Sequence, residues 1–297
     1  MIELKSDDLQ VEFQSLGGAL SSIKDKDGVE YLWQGDPTYW SGQAPVLFPI
    51  CGSVRNDTVL YDQEDGSQVK GKIPRHGLVR KKEFELVNQT ENSVTFAIED
   101  DEEMYANYPY HFRLEITYTV TGKTIRTQYE IYNKEAEKSM SYFIGGHPGF
   151  NCPLLEDEVY EDYYLEFEKP ETCTVPKPFP EIGMLDFKDR SSWLENQKEI
   201  DLNYDLFSYD AVTLDNLESR SVSLKSRKHD KGLKLHFEEF PNLIVWSTLN
   251  KGPFIALEPW SGLSTSLEER DRLEDKKGVK VLKPGEFDHL GFDIEIL

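Results

Sequence analysis

The chain has 297 residues, with 33 Lys and Arg against 55 Asp and Glu and a formal net charge of −22. So acidic a balance argues against a nucleic-acid binder and against docking on anionic membranes, because both demand clustered cations. The length and an aromatic content of 12 % allow a large packed core and leave small neutral ligands as the open class of partner.

Three cysteines, Cys51, Cys152 and Cys173, lack C-x-x-C spacing, which points to a reducing compartment rather than a disulfide scaffold or thiolate zinc site. The opening MIELKSDDLQVEF has neither the basic nor the apolar region of a signal peptide, and no apolar run is long enough to span a bilayer. The expectation is a soluble cytoplasmic protein, monomer or homodimer.

Along the chain the dominant period is two. Leu9–Phe13 is the first alternating run. APVLFPICGSVRND (44–57) then carries an apolar stretch through Pro49 and Gly52 to Arg55, which reads as a strand ending in a turn, with the arginine either solvated or aimed at a ligand. In KIPRHGLVR (72–80) His76 precedes Gly77, so a sharp turn can present the imidazole at its apex. Strands are predicted at Phe84–Asn88 and Ser93–Ile98, and EDDEE (99–103) reads as a solvated acidic run. HFRLEITYTV (111–120) alternates strictly, turns at Gly122, and alternates again over 124–133, the pattern of an antiparallel hairpin.

Ser139–Ile144 leads into SYFIGGHPGFN (141–151), where three glycines and a proline shape an irregular backbone around His147 between Phe143 and Phe150. A solvent-exposed turn needs neither the imidazole nor the aromatics, which favours a functional histidine. Asp157–Glu161 is a short helical candidate and Tyr164–Phe167 a strand. The Pro-rich stretch 169–201 reads as a long loop wrapping the fold. Asp210 opens the strand Ala211–Leu214 after an aromatic pair, as a ligand-facing residue would. Further strands are predicted at Ser221–Leu224, Gly232–Phe237 and Leu243–Ser247. In PFIALEPWSG (253–262) Glu258 ends the apolar strand Phe254–Leu257, where desolvation would raise its pKa toward that of a useful base. Ser266–Glu274 allows a turn or two of helix, and Val279–Leu282 and Phe287–Ile296 close the series.

Many short strands without intervening amphipathic helices predict an all-β fold, one large antiparallel β-sandwich with few short helices, formed by residues 1–297 as one domain. His76, His147 and Glu258 lack the spacings of a metal motif, so a catalytic metal is not expected, and without a phosphate-binding glycine loop or G-x-S-x-G nucleotide binding and serine hydrolysis lack support.

The order F-P-I-x-G, then H-G-x-x-R, then a glycine-rich loop with H-P-x-F, then L-E-P-W resembles the aldose 1-epimerase (galactose mutarotase) family, and within it the LacX-like branch. The resemblance covers essentially the whole chain and implies a mutarotase-like supersandwich. It implies a cofactor-free isomerase that interconverts α and β anomers of a sugar. Glu258 matches the general base, His147 the general acid at the ring oxygen, His76 a second histidine at the reacting oxygens and Asp210 a sugar-hydroxyl acceptor. The resemblance also makes Arg55 a candidate substrate contact, although GSVRND departs there from the family's N-R-I-like segment, and Gly149 stands where a bulkier residue is common. Two alternatives share the scaffold: a hexose-6-phosphate mutarotase, for which Arg55, Arg75 and Arg80 are candidate cations, and a non-catalytic carbohydrate-binding protein.

Overall fold

Strict alternation over Phe112–Thr121 and Thr124–Asn133 buries every second side chain, and the two strands form the expected hairpin. They sit inside an antiparallel nine-stranded sheet. From one edge to the other it runs Met184–Asp201, Tyr163–Phe179, Ser221–Ser226, Gly232–His236, Phe287–Ile296, Thr124–Asn133, Phe112–Thr121, Ser93–Glu99 and Glu85–Gln89. The computed structural model describes residues 2–62 and 66–297.

A second sheet of six short strands faces the first: Val212–Leu214, Asn242–Trp246, Phe254–Trp260, Gly145–Gly146 and Val46–Leu47, with Gly149–Asn151 also pairing with Phe254–Trp260. Phe254–Trp260 is buried at all seven positions, which is why it reads as a continuous apolar run rather than an alternating one. The two sheets meet closely at Gly146, where a Cβ would come within 2.8 Å of the Phe292 ring on the large sheet. A third sheet, Ile2–Lys5, Leu9–Gln14 and Ala19–Asp25, packs beside it, with the Phe13 and Tyr118 rings 4.8 Å apart and the Tyr118 hydroxyl donating to Gly18 O at 2.9 Å. Side chains from all three sheets merge into one hydrophobic cluster. The fold is the antiparallel β-sandwich expected from periodicity.

Several local expectations are corrected. Residues 169–201 are not a wrapping loop. They belong to a long hairpin of Tyr163–Phe179 and Met184–Asp201 that extends past the sheet. Tyr163–Phe179 pairs with Ser221–Ser226 only through Tyr163–Phe167, so Pro170, Pro176 and Pro178 fall where one side of the strand is free of a ladder. Edge position is what makes prolines tolerable in a strand. EDDEE is exposed except at Asp100, whose carboxylate is 10 % exposed and accepts the Phe112 N–H at 2.9 Å, and the run also starts the helix Glu102–Asn107, because the Asp101 carboxylate accepts the Met104 N–H at 2.7 Å. Asp157–Glu161 gives only the 3-10 turn Tyr160–Asp162, and Ser266–Glu274 only its last part, in Leu273–Asp275. His111 stands just outside its strand and meets Asp100 at 2.7 Å. The pairs Ile2–Lys5, Ala19–Asp25 and Thr58–Asp62 with Gln68–Lys72 add strands that periodicity did not mark. No helix among the described residues is long and apolar enough to cross a membrane.

The hairpin is tied to the body through Arg190, whose guanidinium donates to Asp215 at 2.5 and 3.2 Å and to Thr174 O at 2.8 Å. Asp215 is 4 % exposed, so its removal leaves a largely desolvated cation. Asp215→Ala is expected to cost about 2 kcal/mol of stability, read as a lower urea midpoint with an unchanged slope.

Candidate active site

In an antiparallel ladder, directly opposed residues share a face. Glu258 opposes Ile244, Trp260 opposes Asn242 and Ala256 opposes Trp246. Ile244, Trp246, Glu258 and Trp260 therefore project together, and they line a cavity of about 240 Å³. His147 enters it from the turn between Gly145–Gly146 and Gly149–Asn151, both of which pair with the strand that carries Glu258. The Leu257 N–H donates to Pro148 O at 3.2 Å, which ties the histidine turn to that strand next to the carboxylate. His147 Nε2 lies 3.3 Å from Glu258 Oε2, and the imidazole stacks on Trp40 at 4.7 Å and meets the edge of Trp246 at 5.6 Å.

His76 reaches the same cavity from the predicted turn. Its φ is +68°, and its N–H donates to Gly52 O at 2.7 Å. Gly77 follows at φ +85°, and a Cβ there would fall 2.0 Å from Phe48 O, so the glycine is a steric requirement. The Gly52 N–H donates to His76 Nδ1 at 3.3 Å. That bond makes Nδ1 the acceptor and puts the proton of the neutral ring on Nε2. The two histidine rings lie 5.3 Å apart and nearly perpendicular. Asp210, at φ +121°, stands at the mouth, its Oδ2 3.6 Å from Arg75 Nη2.

Depth sorts these groups. The side chains of His147 and Glu258 are 8 % and 2 % exposed, whereas those of Arg75 and Asp210 at the mouth are 50 % and 23 % exposed. Burial drives the His147 pKa down to about 3, with Arg75 and Arg80 pushing the same way. Burial also holds His76 well below the usual imidazole value, assisted by His147, Arg75 and Arg80. For Glu258 burial acts in the opposite sense and raises the carboxyl well above its ordinary value, partly offset by Arg75. Burial thus moves the two close groups in opposite senses, favouring the neutral imidazole of His147 and the protonated form of Glu258. Neither His147 Nδ1 nor Glu258 Oε2 has a hydrogen-bond partner.

Of the residues singled out from sequence, His76, His147, Asp210 and Glu258 line this one cavity, together with Arg75 and Arg80. Arg55 does not join them. It faces a shallower cleft of about 760 Å³, where Nη1 pairs with Asp271 at 2.7 Å and Nη2 donates to the carbonyls of Leu267 and Glu269 at 3.1 Å each. Its guanidinium is spent on holding the segment 266–271, so it is a structural clamp. The lining residues that sequence reasoning did not single out include Trp40, Ile244 and Trp246, whereas Trp260 belongs to the L-E-P-W motif. A register-aware reading of the two neighbouring strands would have put Trp246 beside Glu258. Trp40 carries no local signal. Among the described residues no three His, Cys, Asp or Glu side chains are grouped to hold a metal ion.

Comparison with known proteins identifies the family and the fold. A family model described as aldose 1-epimerase matches residues 1–276. Protein LacX of Lactococcus lactis subsp. lactis, chromosomal form, is 60 % identical over 296 residues, spanning 100 % of this chain and 99 % of the relative. A galactose mutarotase related enzyme from Lactobacillus acidophilus superposes with a TM-score of 0.91 at 28 % identity, covering 100 % of this chain and 97 % of that one. A galactose mutarotase-like protein from Lactobacillus casei gives 0.89 at 28 % identity, with both chains covered completely.

Proposed function

Because this chain belongs to the aldose 1-epimerase family, we propose that it interconverts the α and β anomers of a hexose by acid–base opening and reclosure of the ring. The observation that carries the reading is the buried contact of His147 Nε2 with Glu258 Oε2 at 3.3 Å, in a cavity that His76 and Asp210 also line. Ring opening removes a proton from O1 and adds one to O5, two oxygens on the same carbon. Glu258 takes the first proton, His147 gives the second, and the C1–O5 bond breaks as the C1 carbonyl forms. Rotation about C1–C2 and the reverse transfers close the ring on the other face. Atoms and charge balance without a cofactor.

Burial suits this exchange. A carboxylic acid beside a neutral imidazole holds as many protons as a carboxylate beside an imidazolium. The pair can therefore pass between the two distributions as the sugar passes between open and closed forms, with no proton taken from water. His76, its tautomer fixed by Gly52, offers Nε2–H as a donor to a sugar oxygen. Asp210 at the mouth suits a hydroxyl of the opposite end of the ring.

The test is polarimetry or NMR of freshly dissolved α-glucose and α-galactose with catalytic amounts of protein. Accelerated equilibration of at least one is expected, and rates no faster than buffer for both would refute the reading for these sugars. In the pH profile, kcat/KM is expected to stay flat from pH 7 to pH 5. His147, depressed to about 3, takes no second proton in that range, whereas a solvated imidazole would do so near pH 6.5. Activity is instead lost as pH rises and the pair gives up its one transferable proton, burial having lifted Glu258 above the ordinary carboxylate range. An acid limb centred near 6.5 would contradict this assignment.

One feature favours a second reading, a sugar bearing an anionic group away from C1. Arg80 lines the cavity, and burial lowers its pKa with Arg75 adding to the effect and no acidic group offsetting it. Arg80→Met separates the two. For a neutral hexose, kcat/KM changes less than about three-fold. For an anionic substrate, glucose 6-phosphate is the better substrate of the wild type and loses about 10- to 100-fold in the variant.

A further inference from the structure

A second cavity, of about 370 Å³, lies against the first, and Asp210 and Ala211 line both. Its walls come from the long hairpin and the segment before Val212–Leu214, with Trp193 and Tyr209 as its aromatic surfaces and Val175, Pro176 and Pro178 as further apolar lining. None of these side chains takes part in the acid–base chemistry. We infer that this cavity is a subsite for a second sugar ring, so that the favoured ligand is a reducing disaccharide or longer oligosaccharide rather than a single hexose.

The depth of the reacting groups sets the direction. His147 and Glu258 lie at the floor of the first cavity, so C1 of the bound sugar points inward. The hydroxyls farthest from C1 then emerge at the mouth, beside Asp210, where the second cavity begins. A further sugar joined through one of those hydroxyls leaves the reducing end free and is carried directly into the second cavity. A substituent on O1 could not be, and would also block ring opening.

The lining matches a pyranose. One face of such a ring is a surface of C–H groups that packs on an aromatic plane, while its hydroxyls spread sideways to polar neighbours. Tyr209 is 81 % exposed at this junction, an aromatic side chain with no packing role in the empty protein. Trp193 is placed there by a local irregularity. Thr174 pairs with Ser192 and Cys173 with Leu194, which leaves Trp193 as the unpaired residue of a β-bulge. Bulges re-aim side chains beside functional sites, and the Trp193 indole N–H is left without a hydrogen-bond partner. The exposed Lys177–Asp189 ion pair at 2.7 Å lies at the rim, available to hydroxyls.

The inference rests on a sugar occupying the first cavity, and its test is binding, which does not require turnover. Calorimetric titration of the full chain compares glucose with laminaribiose, cellobiose, maltose and melibiose, and galactose with 4-linked galactobiose. At least one disaccharide is expected to bind about 10-fold more tightly than its own reducing-end monosaccharide. Trp193→Ala and Tyr209→Ala should each erase most of that gain while leaving monosaccharide affinity and turnover unchanged. The exposed Tyr209 keeps the test valid even if the Trp193 variant folds poorly. No disaccharide binding more tightly than its monosaccharide, or a gain that survives in Tyr209→Ala and in any folded Trp193→Ala, overturns the subsite. Disaccharide binding that depends on these residues, without accelerated mutarotation of any sugar, upholds the subsite and instead removes the catalytic reading.

Discussion

Glu258→Gln is expected to lower kcat for anomer interconversion by about 10³-fold, with sugar affinity nearly unchanged. The amide keeps the shape and the hydrogen-bonding reach of the carboxyl group but cannot take the O1 proton, and general acid–base contributions run from about 10² to 10⁴. The same substitution should raise the stability of the empty protein at neutral pH. Burial raises the folded pKa of Glu258 above its unfolded value. Between those two values the folded chain holds a proton that the unfolded chain has released, so stability falls as pH rises through that window. Glutamine has no proton to lose and removes this dependence. Thermal unfolding at pH 7 and pH 5 checks the sign: the variant's advantage should be present at pH 7 and smaller at pH 5. A variant that keeps its activity would dismiss Glu258 as the base.

His147→Ala comes next, with an expected loss of about 10²- to 10³-fold in kcat. The ring oxygen then has no positioned acid, and water must supply the proton at a site lined by aromatic rings. The substitution also removes the stack on Trp40 and leaves a space about the size of an imidazole between Trp40 and Trp246. Added imidazole is expected to recover part of the rate in this variant and none in Glu258→Gln. That difference separates a lost acid from general damage to the cavity.

Much of this was legible from the sequence, for identifiable reasons. The sandwich followed from two-residue alternation, which holds wherever a strand buries one face, as in Phe112–Thr121. The histidine turns were legible because glycines at 77, 145, 146 and 149 mark backbone that approaches other atoms too closely for a side chain. Glu258 stood out as a carboxyl group ending an apolar run, and its burial is nearly complete. The hairpin over 163–201 was not legible, because proline content signals a loop unless one knows that the strand has a free edge. The role of Arg55 was hidden for another reason: its partner Asp271 is 216 residues away in sequence, and nothing local distinguishes a clamp from a ligand contact. Asp101 shows a third kind of limit, since one side chain can be both solvated and the cap that starts a helix.

The ladder joining Gly149–Asn151 to Phe254–Trp260 holds His147 and Glu258, the proposed acid and base, on adjacent backbone, through Gly149 opposite Ala256 and Phe150 opposite Ile255. Their separation is thus set by main-chain hydrogen bonds in the interior. The residues towards the mouth come from elsewhere in the sequence: Arg75, Arg80 and Asp210, with the arms of the long hairpin around Pro176 and Trp193 beyond them. Changes in those surface segments can therefore alter which sugar is admitted without disturbing the distance across which the proton moves. A scaffold divided in this way lets substrate choice drift between relatives while the chemistry is inherited intact, and it makes the mouth, not the floor, the place to redesign preference.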